Sequence, residues 1–376
     1  MTVLEPSAGA RKKTTSSMNG SPPEKGKHDI RAIIKYAGAF IAWVVGSGFA
    51  TGQEILRFYS SYGYASYCVV LFNLVGFLFI GQTMLVKGYE HRGEEKFNHF
   101  LFYCGNKLGT VYSWLVPATL LLLMSALISG SGATLSEYYG INHYIGSAIM
   151  AAMVLCAYLV GFEKLVKILS TVGPAIIIFV FVVGLITVIA DFPNIKQTGR
   201  YEKELASLQP APVWVISAAL YIPLNFLCSS TYYTALGKSA KNKKDAKWGA
   251  IAGAFVVILV VTIMNTAILL NAGDVASLSV PTLYLAKKIS YALGAVFSIV
   301  LILGIFSSCS TMMWSFCNKF FTEGTRKNRL FAVVTSVVTF VIGLFPFREL
   351  VGVFYPFIGY LGLIFIACVI YKGSSG

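Results

Sequence analysis

The stretch AFIAWVVGSGFATGQEILRFYSSYGY, Ala39 to Tyr64, concentrates residues with chemical reach in an otherwise apolar run. Gly46, Gly48 and Gly52 interrupt it, and Gln53, Glu54 and Arg57 follow. Glycine weakens a helix and lets backbone come close to a ligand. A helix opened at Gly46-Ser47-Gly48-Phe49 frees amide donors at one end and carbonyl acceptors at the other. The donors suit a substrate carboxylate; the carbonyls suit sodium or an ammonium group. Glu54 is an acid inside an apolar span, where charge is costly and marks function by default. It can hold a cationic solute, carry a coupling proton, or pair with Arg57 three residues on.

Two further groups complement it. In AALYIPLNFLCSSTYY, Pro223 removes a helical donor and clashes with the preceding turn, so a break is expected at Pro223 and Asn225. That break offers Tyr221, Asn225 and Phe226 as ligand contacts. Ser125 and Ser129, one turn apart, can add hydroxyls, with plain helix packing equally open. LGIFSSCSTMMW, Leu303 to Trp314, supplies neighbouring hydroxyls able to hold an ion without formal charge. The alternative is that these hydroxyls bond back to their own helix. Trp43, Tyr221, Phe226 and Trp314 lie near the same depth, where apolar packing is favoured over an aromatic box for a quaternary amine.

The elements that must position these residues are membrane helices. The chain has 376 residues, 56% hydrophobic and 12% charged, against about 25% charged in soluble domains. Apolar segments of crossing length are expected at 32–60, 65–87, 108–130, 143–161, 167–190, 212–236, 248–271, 289–316, 329–345 and 350–371, about ten spans. Residues 1–30 read as a polar disordered tail, with no cleavable signal peptide. Residues 372–376 read as a short tail with the composition of a cloning remnant. The net charge of +14 lies in short loops. It reads as a topology signal that places both termini in the cytoplasm of a multi-pass cell (inner) membrane protein, not as a nucleic-acid surface. The seven cysteines and four histidines show no metal-ligand spacing, and no nucleophile motif or acid–base cluster points to an enzyme.

The spans pair at an offset of about 180 residues, first with sixth through fifth with tenth, as in an inverted-topology repeat. The halves are 31–190 and 212–371, joined by an outside loop at 191–211. Breaks in corresponding helices of two such halves point to a transporter's central site; ordinary kinks are the alternative reading.

VVGSGFATGQEILRF resembles the signature of the YkvI-like bacterial membrane proteins, and LISGSGATLSEYYG (Leu127 to Gly140) is similar to a second stretch of that family. These sit with the LeuT-fold transporters of the amino acid–polyamine–organocation superfamily. GFEKLVKILSTVGP (Gly161 to Pro174) resembles the fifth-helix start of sodium-coupled relatives. The resemblance implies an all-α fold of ten helices in a 5+5 inverted repeat with helices 1 and 6 broken. It implies secondary transport of a small organic solute: an amino acid, amine or related osmolyte. The fold's common sodium site maps onto the Ala42, Val45 and Gly304 carbonyls and the Ser307 and Ser308 hydroxyls, with Ser310 and Thr311 as a rival register. Proton-driven members can put a fifth-helix lysine there, which raises Lys164 and Lys167; both read better as inside-loop charges. Arg57 resembles the fold's outer-gate arginine, with Glu349 as partner; Glu323 is expected to pair with Arg31 or Lys27 at the inner mouth. A proton-coupled transporter, or a ligand-sensing receptor subunit like those of spore-germinant receptors, remains open as an alternative.

Overall fold

The computed structural model describes residues 29–94, 97–160, 172–193 and 201–374. Every regular element among them is helical. In chain order they are α1 (Ile30–Val44), α2 (Ser47–Ala50), α3 (Gln53–Phe58), a short 3-10 turn (Ser60–Ala65), α4 (Ser66–Glu90), α5 (His99–Tyr139), α6 (His143–Val160), α7 (Val172–Asp191) and α8 (Glu202–Ala206). There follow α9 (Trp214–Lys238), α10 (Lys243–Leu270), α11 (Ala272–Val275), α12 (Pro281–Ile289), α13 (Tyr291–Phe320), α14 (Arg326–Ile342) and α15 (Phe347–Ser374).

Eight helices among the described residues are long and apolar enough to cross a membrane. Two of the ten expected spans do not qualify, for different reasons. The first is divided into pieces of 15, 4 and 6 residues. The ninth, α14, is continuous but only 17 residues long. Lys164, Lys167 and most of the Gly161–Pro174 motif lie outside the described residues, as does Lys27.

The first helix breaks at Gly46, but Ser47, Gly48 and Phe49, expected as part of the opening, form the helical turn α2. After Val44 the backbone leaves the helix at Val45 (φ −83°, ψ 58°) and Gly46 (φ −85°, ψ −170°). It re-forms for one turn and breaks again at Gly52, whose φ of +85° is a left-handed conformation that only glycine adopts cheaply. The sixth span corrects the expectation of a second break. Helix α9 runs unbroken through Pro223 and Asn225. A proline costs a helix one donor and crowds one turn, but neighbouring helices can absorb that loss. Here Asn225 Nδ2 donates to the Tyr221 carbonyl (2.9 Å) and Ser229 Oγ to the Asn225 carbonyl (2.6 Å), stitching the turns on either side.

Helix α9 is the most enclosed of the eight and packs against α4 and α15, while α10 packs against α1 and α4. The α4–α9 crossing is backbone on backbone. A Cβ at Gly88 would collide with the Thr234 carbonyl, and one at Gly237 with the Leu85 carbonyl. Helices in lipid lack a hydrophobic driving force toward each other, so small residues that allow such close packing hold them together.

Candidate functional site

The two breaks place α2 as a single turn across the middle of the molecule, and a chamber of about 100 Å³ opens beside it. Gly46, Ser47, Gly48 and Phe49 line one wall, Glu54 reaches in from α3, and Asn225 from α9. These six are residues the sequence nominated. The opposite wall is apolar: Leu120, Leu123 and Leu127 from α5 and Leu224 from α9.

Glu54 is 8% exposed. A Cβ built on Gly48 would stand 2.5 Å from Glu54 Oε1 and 2.9 Å from Tyr355 Oη, so the carboxylate rests against bare backbone at the break. Tyr221 Oη donates toward Glu54 Oε2 across a long 3.5 Å. Behind it, Tyr59 meets the Tyr221 ring edge-on, and Asn73 Nδ2 donates to Tyr59 Oη (2.9 Å). Tyr221 is therefore a wall behind the carboxylate and does not line the chamber. Phe226 is buried one layer further out, against Phe40, Phe77 and Tyr233.

Beside the chamber, Ala42, Val45, Gly304, Ser307 and Ser308 line one pocket together. All five residues assigned to sodium by resemblance thus meet in space, although α1 and α13 are far apart in sequence. Ser47 Oγ donates to Ser308 Oγ (3.1 Å), which ties this pocket to the chamber wall. Of the rival pair, Thr311 bonds back to the Ser307 carbonyl (2.9 Å), and Ser310 Oγ is buried without a hydrogen-bond partner. Among the described residues no three His, Cys, Asp or Glu side chains come together to hold a metal.

A wider vestibule of about 580 Å³ leads away from the chamber toward Phe97, Trp314 and Lys319. Trp43 and Met312 line all three spaces. Trp43 also stacks on Tyr232, with ring centres 5.0 Å apart. The opposite end is covered. Gln53 Nε2 donates to the Leu278 carbonyl (2.6 Å), and Thr282 N–H donates to the Thr51 carbonyl (3.2 Å). Glu137 accepts from the backbone N–H groups of Ser279 (2.6 Å) and Val280 (3.1 Å). Together they fasten the α11–α12 hairpin to the α2–α3 segment and to the end of α5.

Several nominated residues do other work. Gln53 belongs to this fastening and does not touch the chamber. Ser125 bonds back to the Leu121 carbonyl (2.9 Å), while Ser129 donates to the Phe345 carbonyl (2.7 Å), so both serve packing. Arg57 pairs neither with Glu54 nor with Glu349. Its guanidinium lies over Gly352 and donates to the carbonyls of Arg348 (2.6 Å) and Leu208 (3.4 Å). A half-buried guanidinium takes carbonyls at that distance because its fork needs acceptors, charged or not; Glu349 is exposed. Glu323 accepts from Trp314 Nε1 (3.1 Å) and Asn318 Nδ2 (3.4 Å) on the preceding helix. Arg31 is exposed at the start of α1, and no ion pair joins it to Glu323 among the described residues. Tyr355, Met312 and the leucines of α5 were not nominated. Pro356, beside Tyr355 in the last apolar span, was the one available signal.

No known family profile matches the chain. It is 22% identical over 342 residues to the uncharacterized membrane protein YkvI of Bacillus subtilis (strain 168), covering 89% of this chain and 94% of that protein. It is also 22% identical over 344 residues to the uncharacterized protein YyaD of the same organism, covering 90% and 96%. Its fold is similar to that of crystal structures of a manganese transporter from Eremococcus coleocola. Two mutants of that protein match with TM-scores of 0.52 and 0.53 at 14% identity, each covering 95% of this chain and 81% of the transporter. The chain therefore shares its fold with these solved structures.

Proposed function

We propose that this protein is a secondary active transporter that moves a small organic solute, an amino acid, amine or related osmolyte, by alternating access, coupled to sodium. The observation that carries the reading is the doubly broken first helix, whose backbone and Glu54 face the chamber. Irregular backbone at membrane depth is tolerated where it is buried in protein or lines a cavity. A site with one covered end and one vestibule is what alternating access requires. The 5+5 inverted repeat remains part of the proposal, with α14 as the ninth span and a break in the first helix but not in the sixth span. With basic loops inside, the vestibule end is cytoplasmic and the molecule faces inward.

Sodium fits the pocket chemically: carbonyls and hydroxyls from α1 and α13 are hard oxygen donors, the class that alkali and alkaline-earth cations prefer. A proton carried by Glu54 is the alternative coupling ion. The fold likeness to manganese transporters favours a divalent cation as the second reading of the substrate. Manganese also prefers oxygen ligands, and the chamber offers Glu54 as its single carboxylate among the described lining residues.

Uptake into proteoliposomes, in sodium and in choline buffer, tests the reading. Concentrative uptake of an organic solute only under an inward sodium gradient is expected. Uptake driven by a pH gradient alone moves the coupling to Glu54. Manganese uptake without organic-solute uptake replaces the substrate class. Binding without uptake of anything would make the protein a ligand-sensing subunit.

A further inference from the structure

The chamber has a sign. Among the described residues lining it, Glu54 is the only acid, and there is no Lys, Arg or His. The nearest cationic residue along the chain, Arg57, is turned away onto the Arg348 and Leu208 carbonyls. The groups that do face the carboxylate are neutral: Gly48 of α2, Tyr221 of α9 and Tyr355 of α15. Only Oε2 receives a donor from this set, and that contact is long at 3.5 Å. A buried carboxyl group with so little compensation either holds a proton or is completed by a cation, and a bound cation is what lets it stay charged.

The same geometry argues against a zwitterion or an anion. The lining provides no cationic side chain to pair with a substrate carboxylate. The four-residue α2 is too short to present an anion site at its start. The rest of the lining is leucine-rich, from Leu120, Leu123 and Leu127 to Leu224, which suits an aliphatic body.

We infer that the chamber selects organic cations, amines with an apolar body and no carboxylate, with the ammonium seated against Glu54 Oε1 and Tyr355 Oη. Gly48 is a positioning residue, because a Cβ there would collide with Glu54 Oε1 and Tyr355 Oη and displace both. This deepens the transport reading and rests on it.

The test holds the apolar body fixed and varies only charge. Isoamylamine, leucine, isocaproate and isocaproamide are offered to the purified full-length protein, with thermal unfolding and proteoliposome uptake read in parallel. Isoamylamine is expected to raise the unfolding temperature in a saturable way, with the other three at least roughly tenfold weaker, about one decade of affinity. Glu54→Gln is expected to abolish the isoamylamine shift, and Gly48→Ala to weaken it. Tyr355→Phe, the mildest change, is expected to weaken the shift while keeping the charge preference, which holds even if Glu54→Gln folds poorly. An absent isoamylamine shift overturns the inference, as does one that survives in folded Glu54→Gln, or a leucine or isocaproate shift that equals it. Leucine uptake without amine preference would remove the cation selectivity and leave transport standing. Amine binding without uptake would do the reverse.

Discussion

Ser308 lies where two spaces meet. Its side chain lines both the chamber and the adjoining pocket, and its hydroxyl accepts from Ser47 across the gap between α13 and α2. Removing that oxygen takes one ligand from the proposed sodium site without touching the apolar core. Ser308→Ala is expected to weaken the sodium dependence of solute stabilisation about tenfold or more, about 1.4 kcal/mol. Ser308→Thr, which keeps the hydroxyl, should retain most of it. A titration of unfolding temperature against sodium at fixed solute checks both. An unchanged sodium midpoint in Ser308→Ala would remove this residue from the ion site. The two α5 serines show why hydroxyls alone do not announce a role: Ser125 and Ser129 carry the same atoms but spend them on carbonyls of Leu121 and Phe345.

The α4–α9 crossing depends on two glycines that bring backbone against backbone. Gly237 faces the Leu85 carbonyl and Gly88 the Thr234 carbonyl. A branched side chain there must push two enclosed helices apart. Gly237→Val is expected to destabilise by about 1–3 kcal/mol, the usual cost of overpacking, read as a lower unfolding temperature in detergent. An unchanged unfolding temperature would mean that the crossing is looser than drawn. Among the elements, the first-helix break was legible because Gly46 and Gly52 mark it locally, while Gly48 falls inside the helical turn α2. The sixth-helix break was misread because Pro223 states only the loss of a donor. Whether a helix kinks, breaks or absorbs that loss depends on the helices around it, and here α4 and α15 enclose α9. The sodium set was found by resemblance rather than by spacing, since nothing local joins Val45 to Ser307. Tyr355 and the α5 leucines were missed for the same reason: membership of a wall is a property of the packing.

The molecule is open at one end and fastened at the other. The fastening is a small set of polar contacts, in which Gln53, Thr51 and Glu137 all bind backbone of the α11–α12 hairpin. Hydrogen bonds to a charged group each contribute about 1.5–3 kcal/mol and neutral ones about 0.5–1.5. Losing the Gln53 bond and the charge on the Glu137 acceptor is therefore enough to move a two-state balance by about an order of magnitude. The combination Gln53→Ala with Glu137→Gln is expected to favour release of the hairpin. The readout is a cysteine placed at Thr282, which is fully buried. It should react faster with a membrane-impermeant maleimide in the double variant than in the otherwise native chain. Equal rates would mean that apolar packing holds the hairpin and the polar ties are incidental.

Trp43 sits at the junction of chamber, ion pocket and vestibule, stacked on Tyr232. The chain has five tryptophans, and Trp43 is the one on the chamber wall. Indole emission follows the polarity of its surroundings, so the protein carries its own dye at the place where filling and emptying occur. With the other four tryptophans changed to phenylalanine, addition of a bound solute should shift the remaining emission to the blue as water leaves the ring. Sodium alone should produce a smaller change of its own. The time course of that light would record the order in which ion and solute arrive, without a label and without a radioactive substrate.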